Sequence, residues 1–278
     1  MHPQSHHDTH ELWASGINLG HARFARDRDQ VVARAHAAGV RTLVITGTSV
    51  RASREAAVLA RGRSGGGGGQ DAVLLATAGV HPHDARHLDD AALAELGALA
   101  RAPEVRAIGE CGLDFNRDFS PRPDQERAFR QQLELAASLG LPVFLHERDA
   151  HERFLAILGS LRARLPGAVV HCFTGTRAEL DAYLAIDCHI GITGWICDER
   201  RGHHLAELVS RVPRDRLMLE TDGPFLLPRD LRPRPADGRN EPAFLPHVLA
   251  AVARATGRPA AEVAADTSAT AARFFARA

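Results

Sequence analysis

The stretch from 141 to 175 constrains the fold more than any other. Two short apolar runs, Pro142-Val143-Phe144-Leu145 and Gly167-Ala168-Val169-Val170, each lead into a histidine, His146 and His171. Between them, residues 149–165 carry Phe154, Ile157, Leu158 and Leu161 at helical spacing. A short unbroken apolar run suits a strand covered on both faces, so the stretch reads as buried strand, helix, buried strand. Joined by a helix, the strands are parallel, and the histidines stand at their downstream ends. In a parallel barrel that end carries the active site. Two imidazoles delivered there from neighbouring strands can share a metal ion.

The same pattern recurs along the chain. Further apolar runs lie at 12–19, 42–46, 72–80, 106–109, 188–192 and 216–220, and helical patterns lie at 26–38, 53–61, 88–100, 124–139, 180–185, 205–209, 245–255 and 260–275. Eight strands alternating with helices, and no second compositional block, predict an α/β fold: one (β/α)₈ TIM barrel over 12–278. Residues 62–70 include five consecutive glycines. They follow a helix and precede a strand, the reverse of a phosphate-cradling loop, so they read as a linker. Residues 1–11 are polar and His-rich and read as a disordered tail. Asp8-Thr9-His10 imitates the start of a metal-binding D-x-H-x-H, but it precedes the first strand, whose downstream end is Gly16-Ile17-Asn18.

Four strand ends supply a mixed nitrogen and oxygen donor set: Glu110, His146, His171 and Asp222. That set fits Mg²⁺, Mn²⁺ or Zn²⁺ and includes a carboxylate able to take a proton from water. The 34 basic and 34 acidic residues balance, so no bulk field draws the protein onto a polyanion or a membrane. Every basic residue apart from histidine is Arg. This excludes Schiff-base, P-loop and metal-bridging carbamylated lysines. Cys111, Cys172, Cys188 and Cys197 form no C-x-x-C pair and read as reduced thiols of a cytoplasmic protein. Cys172, adjacent to His171 on a strand, is expected to point away from it into an apolar layer. No run is long enough to span a bilayer and no signal peptide is seen. A monomer without a membrane partner is expected.

Six blocks carry a family resemblance: Gly79-Val80-His81-Pro82-His83, Ile108-Gly109-Glu110-Cys111-Gly112-Leu113-Asp114, Pro142-Val143-Phe144-Leu145-His146, His171-Cys172-Phe173-Thr174-Gly175, Glu220-Thr221-Asp222-Gly223-Pro224 and Arg239-Asn240-Glu241-Pro242. In this order they resemble the signature blocks of the TatD family, metal-dependent deoxyribonucleases of TIM-barrel, amidohydrolase-like fold. The resemblance runs from about Trp13 to Phe275. The 193–201 stretch, Thr-Gly-Trp-Ile-Cys-Asp-Glu-Arg-Arg, is similar to the branch that gave the family its name. The resemblance implies that Glu110, His146, His171 and Asp222 surround the metal and that His81 lines the site. Many relatives carry D-x-H-x-H on strand one and hold a second metal with it. Here Gly16 and Asn18 stand at those positions, which favours Mg²⁺ or Mn²⁺ over a tight dinuclear zinc centre.

His81, His83, Arg148 and Asn240 are the expected substrate contacts, with Asn240 also expected to fasten the last loop over the rim. Arg177 is a further candidate phosphate contact, and Phe173 and Trp195 are candidate base-stacking groups. Glu110 and Asp222 are the expected catalytic carboxylates. The resemblance implies phosphodiester hydrolysis, 3′-to-5′ trimming of single-stranded DNA or RNA ends, and a role in DNA repair. The alternatives are D-aminoacyl-tRNA deacylation and nucleic-acid binding without catalysis.

Overall fold

The structure, a computed structural model, describes residues 11–63 and 72–277. The tail with Asp8-Thr9-His10 and most of the glycine linker lie outside these residues. Eight parallel strands run in sequence order around one sheet. They are β1 (Leu12–Ile17), β2 (Val40–Ile45), β3 (Val73–Ala78), β4 (Val105–Asp114), β5 (Val143–Arg148), β6 (Ala168–Val170), β7 (His189–Ile192) and β8 (Leu217–Leu219). No ladder joins β8 to β1. The gap is closed by a bridge between Ile17 and Gly223, with Asn18 N–H donating to the Gly223 carbonyl at 2.8 Å and Asp222 N–H to that of Gly16 at 3.0 Å.

The connecting helices are α1 (Arg28–Ala37), α2 (Val50–Arg61), α3 (Asp90–Leu99), α4 (Arg122–Leu139), α5 (His151–Leu161), α6 (Arg177–Ala185), α7 (His203–Val209), α8 (Leu245–Thr256) and α9 (Ala260–Phe274). Helix limits differ from the periodicity by a few residues, because caps set them. Ser49 caps α2 through the Ala52 N–H, and Thr176 and Glu179 form a reciprocal capping box that starts α6 three residues before Leu180. No helix among the described residues is long and apolar enough to cross a membrane.

Two apolar clusters follow from the alternation of strand side chains. The larger fills the layer between strands and helices. The smaller lies inside the barrel: Val44, Leu75, Ala107, Phe144, Val169 and Met218, one from each of six strands, meet Ala271, Phe274 and Phe275 of the C-terminal segment. The end of α9 therefore plugs the upstream mouth. Above this plug the inward positions turn polar. Phe144 is followed two residues on by His146, Val169 by His171, and Met218 by Glu220 and Asp222. On β4 a register irregularity between Ile108 and Cys111 puts Glu110 on the inward face and leaves Cys111 in the outer cluster.

Candidate functional site

A cavity of about 410 Å³ opens at the downstream mouth, lined by Asn18, His21, Thr48, His81, His83, Asp84, Glu110, His146, His171, Cys172, Asp222 and Phe225. The four strand-end residues come together here. Glu110 Oε1 accepts from His146 Nδ1 at 3.0 Å and lies 3.4 Å from His81 Nε2. Single donor atoms of His81, Glu110 and His146 lie within 4.8 Å of one another, the spacing of ligands around one ion. His171 Nε2 lies 3.9 Å from Asp222 Oδ1, which accepts from Asn18 Nδ2 at 3.0 Å.

A further ring of acids aligns the imidazoles. Asp114 Oδ2 contacts His83 Nε2 at 2.9 Å and lies 3.4 Å from His146 Nε2. Glu220 is fully buried below His171, with Oε2 2.7 Å from Nδ1 and also accepting the Cys172 N–H at 2.8 Å. Its room exists because residue 191 on the neighbouring strand is glycine: a Cβ there would stand 2.1 Å from Glu220 Oε1. Gly16 likewise stands against the His171 ring, where a Cβ would be 3.4 Å away, so this side of the site receives the Asn18 amide from just past the end of β1.

The electrostatics follow from burying so many ionisable groups together. Burial alone would raise the Glu110 carboxyl, but the His81 and His146 imidazoles hold it well below the usual range. Burial opposes charge on His146 and His171. Asp114 and Glu110 nevertheless raise the first to about 9, and Glu220, with Glu110 and Asp222, raises the second to about 10. Burial pushes Asp222 up to about 7, against the pull of His171. Burial lowers His81, with the neighbouring His146 adding to the effect. Without a metal, protons on His146 and His171 balance the acids, which a cation would do instead. His146 Nε2, His171 Nδ1 and Glu220 Oε1 are buried without an aligned hydrogen-bond partner. The clustered donor atoms of His81, Glu110 and His146, beside the His171–Asp222 pair, fit a divalent cation.

Several expected residues stand elsewhere. Arg148 lines a separate cavity of about 560 Å³ beside the first, with Asn116, Glu147, Phe173, Thr174 and His204. Asn240 is buried and does not line the site cavity; its amide donates to the Thr221 carbonyl at 2.7 Å, holding the last loop down. Arg177 lies 3.6 Å from Asp181 on its own helix, and Trp195 packs half-buried against the outer core. Cys172 corrects the sequence reading. The ladder reaches the His171 N–H, which donates to the Leu145 carbonyl, but the chain then turns at Cys172 with φ +48°. Strand alternation ends there, so Cys172 joins His171 in the cavity wall, 3.4 Å from Thr193 Oγ1, instead of entering an apolar layer. Glu220 was missed as a site residue, although its inward parity with Asp222 was a signal. Asp114 had the same parity with Glu110.

The sequence model of the family described as "TatD related DNase" matches residues 15–276. Over 260 residues the chain is 54% identical to "3'-5' ssDNA/RNA exonuclease TatD" of Shigella flexneri serotype 5b (94% of this chain, 97% of the relative). It is 53% identical, over the same length and with the same coverages, to the protein so named in Escherichia coli K12. Among solved structures, a TatD homologue from Escherichia coli K12 superposes with a TM-score of 0.85 at 25% identity, covering 96% of this chain and 98% of that one. A Saccharomyces cerevisiae amidohydrolase superposes at 0.83 and 22% identity, covering 96% and 100%, and shares the fold. Barrel, rim and sequence agree throughout their length: the chain belongs to the TatD family.

Proposed function

We propose that this protein is a divalent-metal-dependent phosphodiesterase that trims single-stranded DNA or RNA from the 3′ end. The observation that carries the reading is the convergence of Glu110, His146 and His81 with His171 and Asp222 at the floor of one open cavity on a TatD-family barrel. Both 3′-to-5′ polarity and the single-stranded substrate come from the names of relatives more than half identical to this chain. Glu110, His146, His171 and Asp222, with His81 beside them, would hold the cation. The two carboxylates and the absence of imidazoles on β1, where a second metal would be held, favour Mg²⁺ over a dinuclear zinc centre. Bound there, the cation supplies charge stabilisation for the phosphate oxygens.

The chain's own groups do the rest. Asp222, held by Asn18, orients the attacking water and takes its proton. His83, fixed on Asp114 and partly exposed, contacts the phosphate. Nucleotides upstream of the cleaved bond lie in the neighbouring cavity, where Arg148 meets backbone phosphate. Phe173, expected as a stacking group, is 4% exposed and packs in the outer core instead. Free thiols suit the cytoplasm, and the protein acts as a monomer.

The test is a nuclease assay with end-labelled single-stranded oligonucleotides, free or blocked at the 3′ end, across Mg²⁺, Mn²⁺, Zn²⁺ and chelator. A D-aminoacyl-tRNA runs in parallel. Stepwise shortening from free 3′ ends with Mg²⁺, abolished by chelator, is expected. Hydrolysis of the aminoacyl ester alone would replace this reading with a deacylase. Salt-sensitive binding without turnover would replace it with a binding protein.

A further inference from the structure

A second cluster of metal-ligating side chains stands apart from this cavity. Cys197 ends the short 3₁₀ turn Gly194–Cys197 after β7, Asp230 lies in the long loop after β8, and His247 sits in the first turn of α8. Single ligand atoms of the three lie within 4.8 Å of one another. His247 Nε2 and Asp230 Oδ1 are 2.7 Å apart, and Cys197, 5% exposed, places its sulfur within 4.8 Å of both ligand atoms. None of the three lines the site cavity.

We propose that Cys197, Asp230 and His247 form a second metal site, structural in role and suited to Zn²⁺. One thiol, one imidazole and one carboxylate make a mixed soft and borderline set. It fits tetrahedral zinc with a water in the fourth position and suits Mg²⁺ poorly. Around such an ion, neighbouring ligand atoms stand roughly 3.3–3.5 Å apart, given bond lengths of about 2.0–2.3 Å. His247 Nε2 and Asp230 Oδ1, at 2.7 Å, stand closer than that, and all three ligand atoms lie within 4.8 Å, which is within the reach of side-chain rotation. The side chain of Asp230 is 43% exposed and that of His247 27% exposed, which leaves the open position facing solvent. On binding, the Cys197 thiol gives up its proton to solvent as the sulfur–metal bond forms.

The placement gives the ion a purpose. The three ligands come from the loop after β7, the loop after β8 and the start of α8, whose charged contacts at the rim are largely exposed. Arg229 next to Asp230 pairs with Glu199 at 3.0 Å and reaches Asp198 at 3.9 Å. The loops already touch closely, since a Cβ on Gly194 would stand 2.3 Å from the Leu226 carbonyl oxygen. An ion here clasps the β8–α8 loop, which follows Asp222, to the barrel.

Cobalt(II) is the probe. The metal-stripped full-length protein is titrated with Co²⁺ while the thiolate-to-cobalt charge-transfer band is recorded. Cys172 lines the other cavity, so the titration is repeated in Cys172→Ala. Both proteins should show the band, and Cys197→Ser should abolish it. Asp230→Asn and His247→Gln should each weaken cobalt binding by at least about tenfold, read from the same band. Asp230→Asn, at an exposed position, keeps the test valid should Cys197→Ser fail to fold. Zn²⁺ should displace the cobalt and raise the melting temperature of the stripped protein, whereas Mg²⁺ should not remove the band. Absence of the band in the parent, its survival in Cys197→Ser, its loss in Cys172→Ala, or unchanged affinity in Asp230→Asn would each overturn the proposal.

Discussion

At the scale of single residues, the site is ordered by groups that are not its expected ligands. Glu220 is the clearest case: it faces His171, accepts the Cys172 N–H, and fits only because residue 191 has no side chain. Partners of this kind set the orientation and basicity of a ligating imidazole, and losing one costs about 10–100-fold in metal affinity or activity. Glu220→Gln should lose turnover by that factor with little change in melting temperature, and Gly191→Ala, which displaces the same carboxylate, should reproduce the loss. Full activity in Gly191→Ala would show that Glu220 does not matter. His189, at the upstream end of β7, offers a pH prediction independent of any metal. Burial against the Phe274 edge, aided by the charge of Arg216 and Arg162 and opposed by Asp187 and the Ala168 carbonyl, lowers its pKa to about 4. The unfolded chain binds this proton below about 6.5 and the fold does not, so this contribution is constant above that pH. It declines as pH falls from about 6.5 to about 4, by up to about 1.4 kcal/mol per unit. Urea unfolding of the metal-free protein across this range should show the slope, and His189→Gln should flatten it.

At the scale of elements, the strand ends were legible and the irregular segments were not. His146, His171 and Asp222 could be picked out because period-two alternation carries the inward face from Phe144, Val169 and Met218 to a polar residue. Glu110 stood out only as the polar residue closing an apolar run, since a register irregularity breaks the alternation after Ala107. Cys172 could not be placed, because a positive φ two residues past the strand breaks that alternation and leaves no periodic trace. Arg148 has the sequence position of a rim contact, yet it belongs to the adjoining cavity. The plug was also hidden: the 260–275 pattern announces a helix but not which mouth of the barrel it closes. Phe275 is 1% exposed within the inner cluster. Phe275→Ala should destabilise the protein by about 3–5 kcal/mol, read as a lower urea midpoint. The metal concentration giving half-maximal rate should stay unchanged in the molecules that remain folded. A shift in that concentration would mean that the plug also shapes the site.

At the scale of the whole molecule, the barrel separates what holds it together from what it does. Apolar residues from six strands and the end of α9 fill the upstream mouth, while the downstream mouth gathers buried acids and histidines whose mutual placement favours ion binding over stability. Natural sites of this kind trade stability for function. Asp222 shows the trade directly, since it stands half-buried among Glu110, Glu220 and His171, and Asn18 supplies its hydrogen bond. Asp222→Asn keeps an acceptor for Asn18 and removes a carboxylate from a crowd of carboxylates. The metal-free variant should melt at the same temperature as the parent or higher, while metal-dependent turnover falls by about 10²-fold or more. Phe274→Ala, at the opposite mouth, should do the reverse. The two sites share no partners, so in the metal-free double variant the stability changes should add within about 0.5 kcal/mol. Coupling well beyond that would mean that strain at the site reaches the plug through the strands, and the division of labour between the two mouths would fail.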